Sequence, residues 1–131
     1  MTPTPNRPTA RWLPPLVADL ACVLVFAAAG KATHEAGASN WVVLAIVWPY
    51  ALAAVLAHGV LVARGRPTAR LWPEGAIVLA VTYVLGMLLR AVSGRGVAVD
   101  FLVVAVIFLA LLLLGWRGIA QVATRRRTSR P

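Results

Sequence analysis

Four long apolar runs, separated by short polar segments, account for most of the chain. They cover about residues 12–30, 40–63, 74–94 and 97–119. Each is close to the roughly twenty residues that an α-helix needs to cross about 30 Å of hydrocarbon. None alternates apolar and polar positions as a barrel strand does. The pattern predicts an all-α protein, a four-helix transmembrane bundle forming one membrane domain over residues 12–120. Pro14 and Pro15 fall in the first turn of the first run, where missing N–H donors cost nothing. Asn40 is placed to cap the second helix. Pro49, inside that helix, predicts a kink that frees the carbonyl of Ala45. Residues 1–11 read as a disordered basic tail and residues 121–131 as a second basic tail.

Composition sharpens the class. Hydrophobic residues make up 60% of the 131 and charged residues 13%, with a mean hydropathy of +0.81. A water-soluble domain of this size could not hide so much apolar surface in one core. The net charge is +9, from 13 Lys+Arg against 4 Asp+Glu. Such a balance can mark nucleic-acid binding, but here the basic residues sit at the ends of apolar runs. There they set topology and meet lipid headgroups, so no nucleic acid is expected. Arg7, Arg11, the Arg64–Arg70 linker and the C-terminal arginines from Arg117 onward fall on one side. Only Lys31, Arg90 and Arg95 fall on the other. This asymmetry predicts an inner (plasma) membrane protein with both termini in the cytoplasm and anionic headgroups as its inner-face partner. Trp12, Trp41, Trp72 and Trp116 lie near run ends, as interfacial anchors do. Ala27-Ala28-Ala29 has the form of a signal-peptide cleavage site, but Asp19 interrupts the apolar stretch before it, so the first run is read as a retained span. Arginine-rich, alanine-rich usage points to a bacterial genome. Cys22, the single cysteine, excludes an intramolecular disulfide.

The pentapeptide RPTAR occurs at Arg7–Arg11 and again at Arg66–Arg70, each time followed by Trp and Leu in either order, a proline and an apolar helix. A looser copy, RRTSR, ends the chain at Arg126–Arg130. The same 59-residue shift lays Lys31 on Arg90 and His58-Gly59 on Arg117-Gly118. The echo is that of two parallel helical-hairpin repeats. Biased composition of inner linkers is the competing explanation.

Polar groups at membrane depth are costly, by roughly 2.5–3.5 kcal/mol for a central Asp or Arg, and are therefore the first candidates for function. Asp19 lies seven residues past Trp12, about 10 Å deep at 1.5 Å per residue. His58 lies at a matching depth in the second helix and Arg117 near the same surface in the fourth. An intramembrane cluster of Asp19, His58 and Arg117 follows. It is either a protonatable or cation-binding site or, more simply, a buried pairing that fixes how the helices pack. A second group, His34, Glu35, Arg90 and Asp100, gathers on the opposite side, with Arg90 and Asp100 near enough in sequence to pair across a GRG turn. His34-Glu35 is not a zinc signature, because Ala38 stands where the second histidine would be, so no metal is expected. Neither a phosphate loop nor a dinucleotide fingerprint appears, so no cofactor is expected either. Gly86, Arg90 and Gly94 form a stripe suited to close helix packing. Phe26 and Gly30 continue the Asp19 face of the first helix.

The run from Asp19 to His34 (DLACVLVFAAAGKATH), Trp48-Pro49, GMLLR at Gly86–Arg90 and GWR at Gly115–Arg117 resemble a family of small bacterial and archaeal membrane proteins. That family is the domain of unknown function three-zero-five-four, and the likeness covers about residues 16–120. In that pattern Lys31 is more often Arg. The resemblance implies a four-helix membrane protein of unassigned activity and draws attention to Asp19, Gly30, His34, Arg90 and Arg117.

The functional expectation is a non-enzymatic membrane protein that binds or passes a small solute, ion or proton. The alternatives are a structural or assembly partner of a membrane complex, with a homo-oligomer or another membrane protein as its partner, and a membrane-embedded lipid-modifying enzyme using His34 and Glu35.

Overall fold

A computed structural model describes residues 11–34 and 37–129. It contains α1 (Leu13–His34), α2 (Trp41–Ala63), α3 (Ala76–Val92) and α4 (Val99–Thr128). With the helical turn Leu71–Gly75 leading into α3, these give four helices long and apolar enough to cross a membrane. They form an antiparallel ring in which α1 packs on α2 and α4, and α3 packs on α2 and α4. Their outward faces carry exposed large apolar side chains such as Leu24, Val60, Leu88 and Leu111, a surface suited to hydrocarbon rather than water.

The helix ends differ from the apolar runs in instructive ways. α1 continues past Gly30 through Lys31 to His34, and Lys31 Nζ then donates to Asn40 Oδ1 at 3.1 Å. That bond occupies the oxygen expected to cap α2. Asn40 instead has helical backbone angles and makes no side-chain cap, while the Trp41 N–H faces Ser39 Oγ at 3.5 Å. α4 runs on to Thr128, because Ala120–Arg127 contains no helix breaker and its arginines favour the negative end of the helix dipole. α2 continues through Pro49, which is buried. α2 and α3 stop at Gly65 (φ 66°) and Gly94 (φ 82°). After each the chain closes the helix end identically, with Arg66 N–H on Leu61 O at 2.9 Å and Arg95 N–H on Arg90 O at 3.2 Å. The left-handed angle required at that position is open to glycine at little cost.

Burial repeats with the sequence echo. Pro15, Asp19, Val23 and Ala27 are buried in α1, and their counterparts 59 residues later, Glu74, Val78, Thr82 and Gly86, are buried too. So are Ile46, Tyr50, Ala54 and His58 in α2 and their counterparts Ala105, Leu109, Leu113 and Arg117 in α4. Each set recurs every fourth residue, the ridge along which helices interdigitate. The two hairpins thus turn the same stripes inward in the same register.

The core has two parts. At one end of the bundle Phe26 meets Tyr50 edge-on, with ring centroids 5.1 Å apart. Tyr50 also donates its hydroxyl to Met87 Sδ at 3.3 Å and lies flat under Gly86. A Cβ built at Gly86 would come within 2.4 Å of the Tyr50 ring, so this glycine permits the α2–α3 approach and its stripe serves intramolecular packing. Toward the other end Ala57 and Leu61 pack on Val78. Tyr83 Oη donates to Leu102 O at 3.0 Å, and the Cys22 thiol lies 3.6 Å from Leu112 O, tying α4 to both neighbours.

Candidate functional site

Antiparallel packing puts the start of α1, the ends of α2 and α4 and the start of α3 at the same end of the ring. Three polar side chains meet there. Asp19 is fully buried and receives four donors. Arg117 approaches it end-on, Nη1 to Oδ1 at 2.8 Å and Nη2 to Oδ2 at 2.6 Å, a bidentate geometry that makes such pairs strong. His58 Nε2 lies 2.6 Å from Oδ2, and Trp116 Nε1–H donates to Oδ1 at 2.7 Å. A carboxylate can only accept, so the geometry assigns the His58 proton to Nε2. The structure thus brings Asp19, His58 and Arg117 together.

Arg117 is itself fully buried and uses its remaining donors on backbone. Its Nε and Nη2 reach Thr68 O at 3.2 and 3.0 Å, and Nη1 reaches Leu113 O at 2.8 Å. Thr68 belongs to the second RPTAR segment, so this linker folds inward over the bundle end. Its two arginines flank Glu74. Arg66 Nε–H donates to Oε1 at 3.2 Å, and Arg70 Nε lies 3.9 Å from Oε2. A Cβ at Gly75 would meet the Arg117 Cδ at 2.9 Å, so the absence of a side chain there seats the arginine.

Glu74, Thr68 and Trp116 were not legible as site residues. An acidic residue in a helix's first turn ordinarily reads as a solvated partner of the helix dipole, yet Glu74 is completely buried. Thr68 takes part through its carbonyl, which leaves no trace in sequence. Trp116 has the position of an interfacial anchor but gives its N–H to Asp19. Its adjacency to Arg117 was the available signal, and the guanidinium lies 4.5 Å from its ring centroid.

The second predicted group is at the opposite end. His34 closes α1, but its side chain and the whole of Glu35 lie outside the described residues. Arg90, in the last turn of α3, and Asp100, in the first turn of α4, line one cavity of about 330 Å³ together with Phe26, Gly30, Ile46 and Phe101. Arg90 Nε–H donates to Gly96 O at 3.3 Å, and its guanidinium lies 4.3 Å from the Phe101 ring centroid. Backbone and ring together hold the cation at the mouth. A further cavity of about 100 Å³ shares Phe26, Gly30, Phe101 and Val104 with the first and adds Ala29, Ala105 and Phe108. Among the described residues no group of three or more His, Cys, Asp or Glu is arranged to hold a metal ion.

Chemically the two ends differ. The Asp19 cluster is a closed network with both carboxylate oxygens spoken for. The opposite end is an open, aromatic-walled space whose described lining includes Arg90 and Asp100 at its mouth. No curated protein and no solved structure matches the chain. A family model does match, over residues 16–120, a span that takes in both ends of the bundle, and the chain accordingly belongs to the family described as "Protein of unknown function (DUF3054)".

Proposed function

We propose that this is a multi-pass protein of the inner (plasma) membrane, with both termini cytoplasmic, that binds a small solute in the cavity between Arg90, Asp100, Phe26 and Phe101. The observation carrying this reading is the cavity itself, at about 330 Å³. That volume falls in the range of small-molecule sites, and apolar walls with a few convergent polar groups are their usual lining. The distribution of basic residues supports the orientation. It sets the Asp19 cluster near the cytoplasmic surface and the cavity near the outer one, with Arg125, Arg126 and Arg127 of α4 among anionic headgroups.

Asp19, on this reading, is a packing element. An ionised carboxylate has about four lone-pair directions, and two bonds from Arg117 with one each from His58 and Trp116 leave none for a ligand. One observation favours a second reading, in which the bundle passes a proton or cation at this end. His58 Nδ1 is buried without a hydrogen-bond partner. The lipid-modifying alternative rests on His34 and Glu35 and gains no support from the described geometry.

The test is thermal unfolding of the protein in lipid nanodiscs against ions, metabolites and lipids, since whatever binds only the native state raises its stability. A Cβ at Gly30 meets nothing within 4 Å, so Gly30→Trp fills the cavity without a backbone clash. The expected result is a ligand-induced shift in the wild type that Gly30→Trp abolishes and Asp19→Asn retains. A shift lost in Asp19→Asn and kept in Gly30→Trp would transfer the function to the Asp19 end. No shift with any compound would remove the solute-binding reading. A green fluorescent C-terminal fusion that stays dark in cells would overturn the orientation.

A further inference from the structure

We infer that the cavity takes a membrane lipid with a zwitterionic headgroup, its head between Arg90 and Asp100 and one acyl chain in the seam between α1 and α4; the inference rests on the cavity being the ligand site.

Three observations combine. The first is the shape. The smaller cavity continues the larger one past Phe101 and Val104 to Ala105 and Phe108. These residues follow one face of α4 through two turns, so the combined slot runs about 10 Å toward the middle of the bilayer. A compact polar solute needs no such extension, whereas a hydrocarbon chain does.

The second is how the seam opens. Its α1 lip is Ala29 and Gly30, residues too small to close the gap to α4, and the fully buried Ala105 forms its inner wall. Val25 and Val104 beside them are about half exposed, at 51% and 55%, on faces that meet lipid. A chain can therefore slide in sideways from the bilayer, and apolar walls formed by Phe26, Phe101 and Phe108 receive it without any polar group to desolvate.

The third is charge. Among the described residues lining the mouth, the charged ones are Arg90 and Asp100, at the end of α3 and the start of α4, the level at which headgroups sit. A net anionic headgroup would gain Arg90 but be repelled by Asp100, and a fatty acid likewise. A zwitterion satisfies both, its phosphate toward Arg90 and its ammonium toward Asp100. Gly96 and Ala98 complete the rim and leave room for a headgroup.

The experiment uses the full chain in a neutral detergent, with lipid binding read by native mass spectrometry and by the shift in unfolding temperature. Phosphatidylethanolamine and phosphatidylglycerol with the same acyl chains are compared, beside a free fatty acid and free leucine and phenylalanine. The expected result is a roughly fivefold preference for phosphatidylethanolamine over phosphatidylglycerol, the size of one partly exposed ion pair. Asp100→Asn should erase that preference. Gly30→Trp, and independently Val104→Phe, should remove binding of both lipids while the protein remains monodisperse and helical. Equal or greater affinity for phosphatidylglycerol in the wild type, still removed by Gly30→Trp, would overturn the headgroup assignment and leave the cavity standing as a ligand site. A full shift from the free amino acids would overturn the chain slot. Lipid binding that neither cavity-filling variant weakens would overturn the location, and with no other ligand shifting the protein, the solute-binding reading as well.

Discussion

Breaking the Asp19–Arg117 pair from one side should cost far more than removing it altogether. In the wild type the two charges cancel within a fully buried network, and Arg117 keeps three further bonds to Thr68 O and Leu113 O. Asp19→Asn preserves shape but leaves the guanidinium without a counter-charge. The new amide also offers a single accepting oxygen where four donors converge, and turns its NH₂ toward groups that can only donate. Two effects contribute. Hydrogen bonds between membrane helices average about 0.6 kcal/mol each, so losing two or three of the four accounts for roughly 1–2 kcal/mol. Orphaning a buried charge costs about 3–5 kcal/mol and decides the outcome. Asp19→Asn is therefore expected to destabilise the bundle by about 3–5 kcal/mol, and Arg117→Met by a similar amount. Asp19→Leu combined with Arg117→Met, which buries no charge, should cost well under the sum of the single changes, with a coupling of at least about 2 kcal/mol. The assay is equilibrium unfolding in mixed micelles of neutral and anionic detergent, followed by tryptophan fluorescence and helical circular dichroism. A loss below about 1 kcal/mol in Asp19→Asn, or additive effects in the double variant, would refute the reasoning and imply that water reaches the pair.

Three further outcomes follow from the packing. Gly86→Ala drives a methyl into the Tyr50 ring and should cost about 1–3 kcal/mol by overpacking, with much of the loss recovered when Tyr50 is shortened to Leu; the same unfolding assay reads both. Glu74→Gln removes the charge held by Arg66 and Arg70, but Arg66 is 42% exposed, so the expected loss is only about 1 kcal/mol. It should shrink as salt is raised from low to molar concentration, which unfolding midpoints at the two ionic strengths would reveal. Asp100 and Arg117 stand on the same helix about 25 Å apart at 1.5 Å per residue, so the stability effects of Asp19→Asn and Asp100→Asn should add within about 0.5 kcal/mol. A larger deviation in the double variant would mean that the two ends communicate.

Length and hydropathy made the four helices legible, because a span crossing hydrocarbon has to satisfy its backbone internally and leaves a long unbroken apolar run. The depth of Asp19, His58 and Arg117 was legible for the same reason, since rise per residue converts sequence position into height. What could not be read was which way each side chain turns around its helix. That is why Trp116, at anchor height, gives its N–H to a buried carboxylate, and why Glu74 is enclosed rather than solvated. The linker over Arg117 was hidden because a backbone carbonyl, that of Thr68, does the holding. The cavity was hidden for a further reason. It is made by side chains that are missing, at Gly30, Ala29 and Ala105, and small residues in a membrane helix ordinarily mean close packing. Here they mean a gap.

The repeated burial register bears on where buried charges can sit in the two hairpins. Two identical hairpins would place the same side chain on both sides of the ring, and a buried charge facing its own copy would be repelled. The stripes meet this constraint by keeping the register of burial while the residues at matched positions differ. Asp19 answers to Val78, His58 to Arg117 and Pro15 to Glu74. The Asp19–Arg117 pair is therefore formed between the two hairpins rather than within either. The pairing is specific to the full four-helix chain, and it draws α1 and α4 together where Arg117 meets Asp19. At the level of Gly30 the α1–α4 seam instead borders a cavity lined by Ala29, Gly30 and Val104. A bundle clamped at one end and open at the other can admit a ligand without losing its fold, which is what the proposed lipid site asks of it.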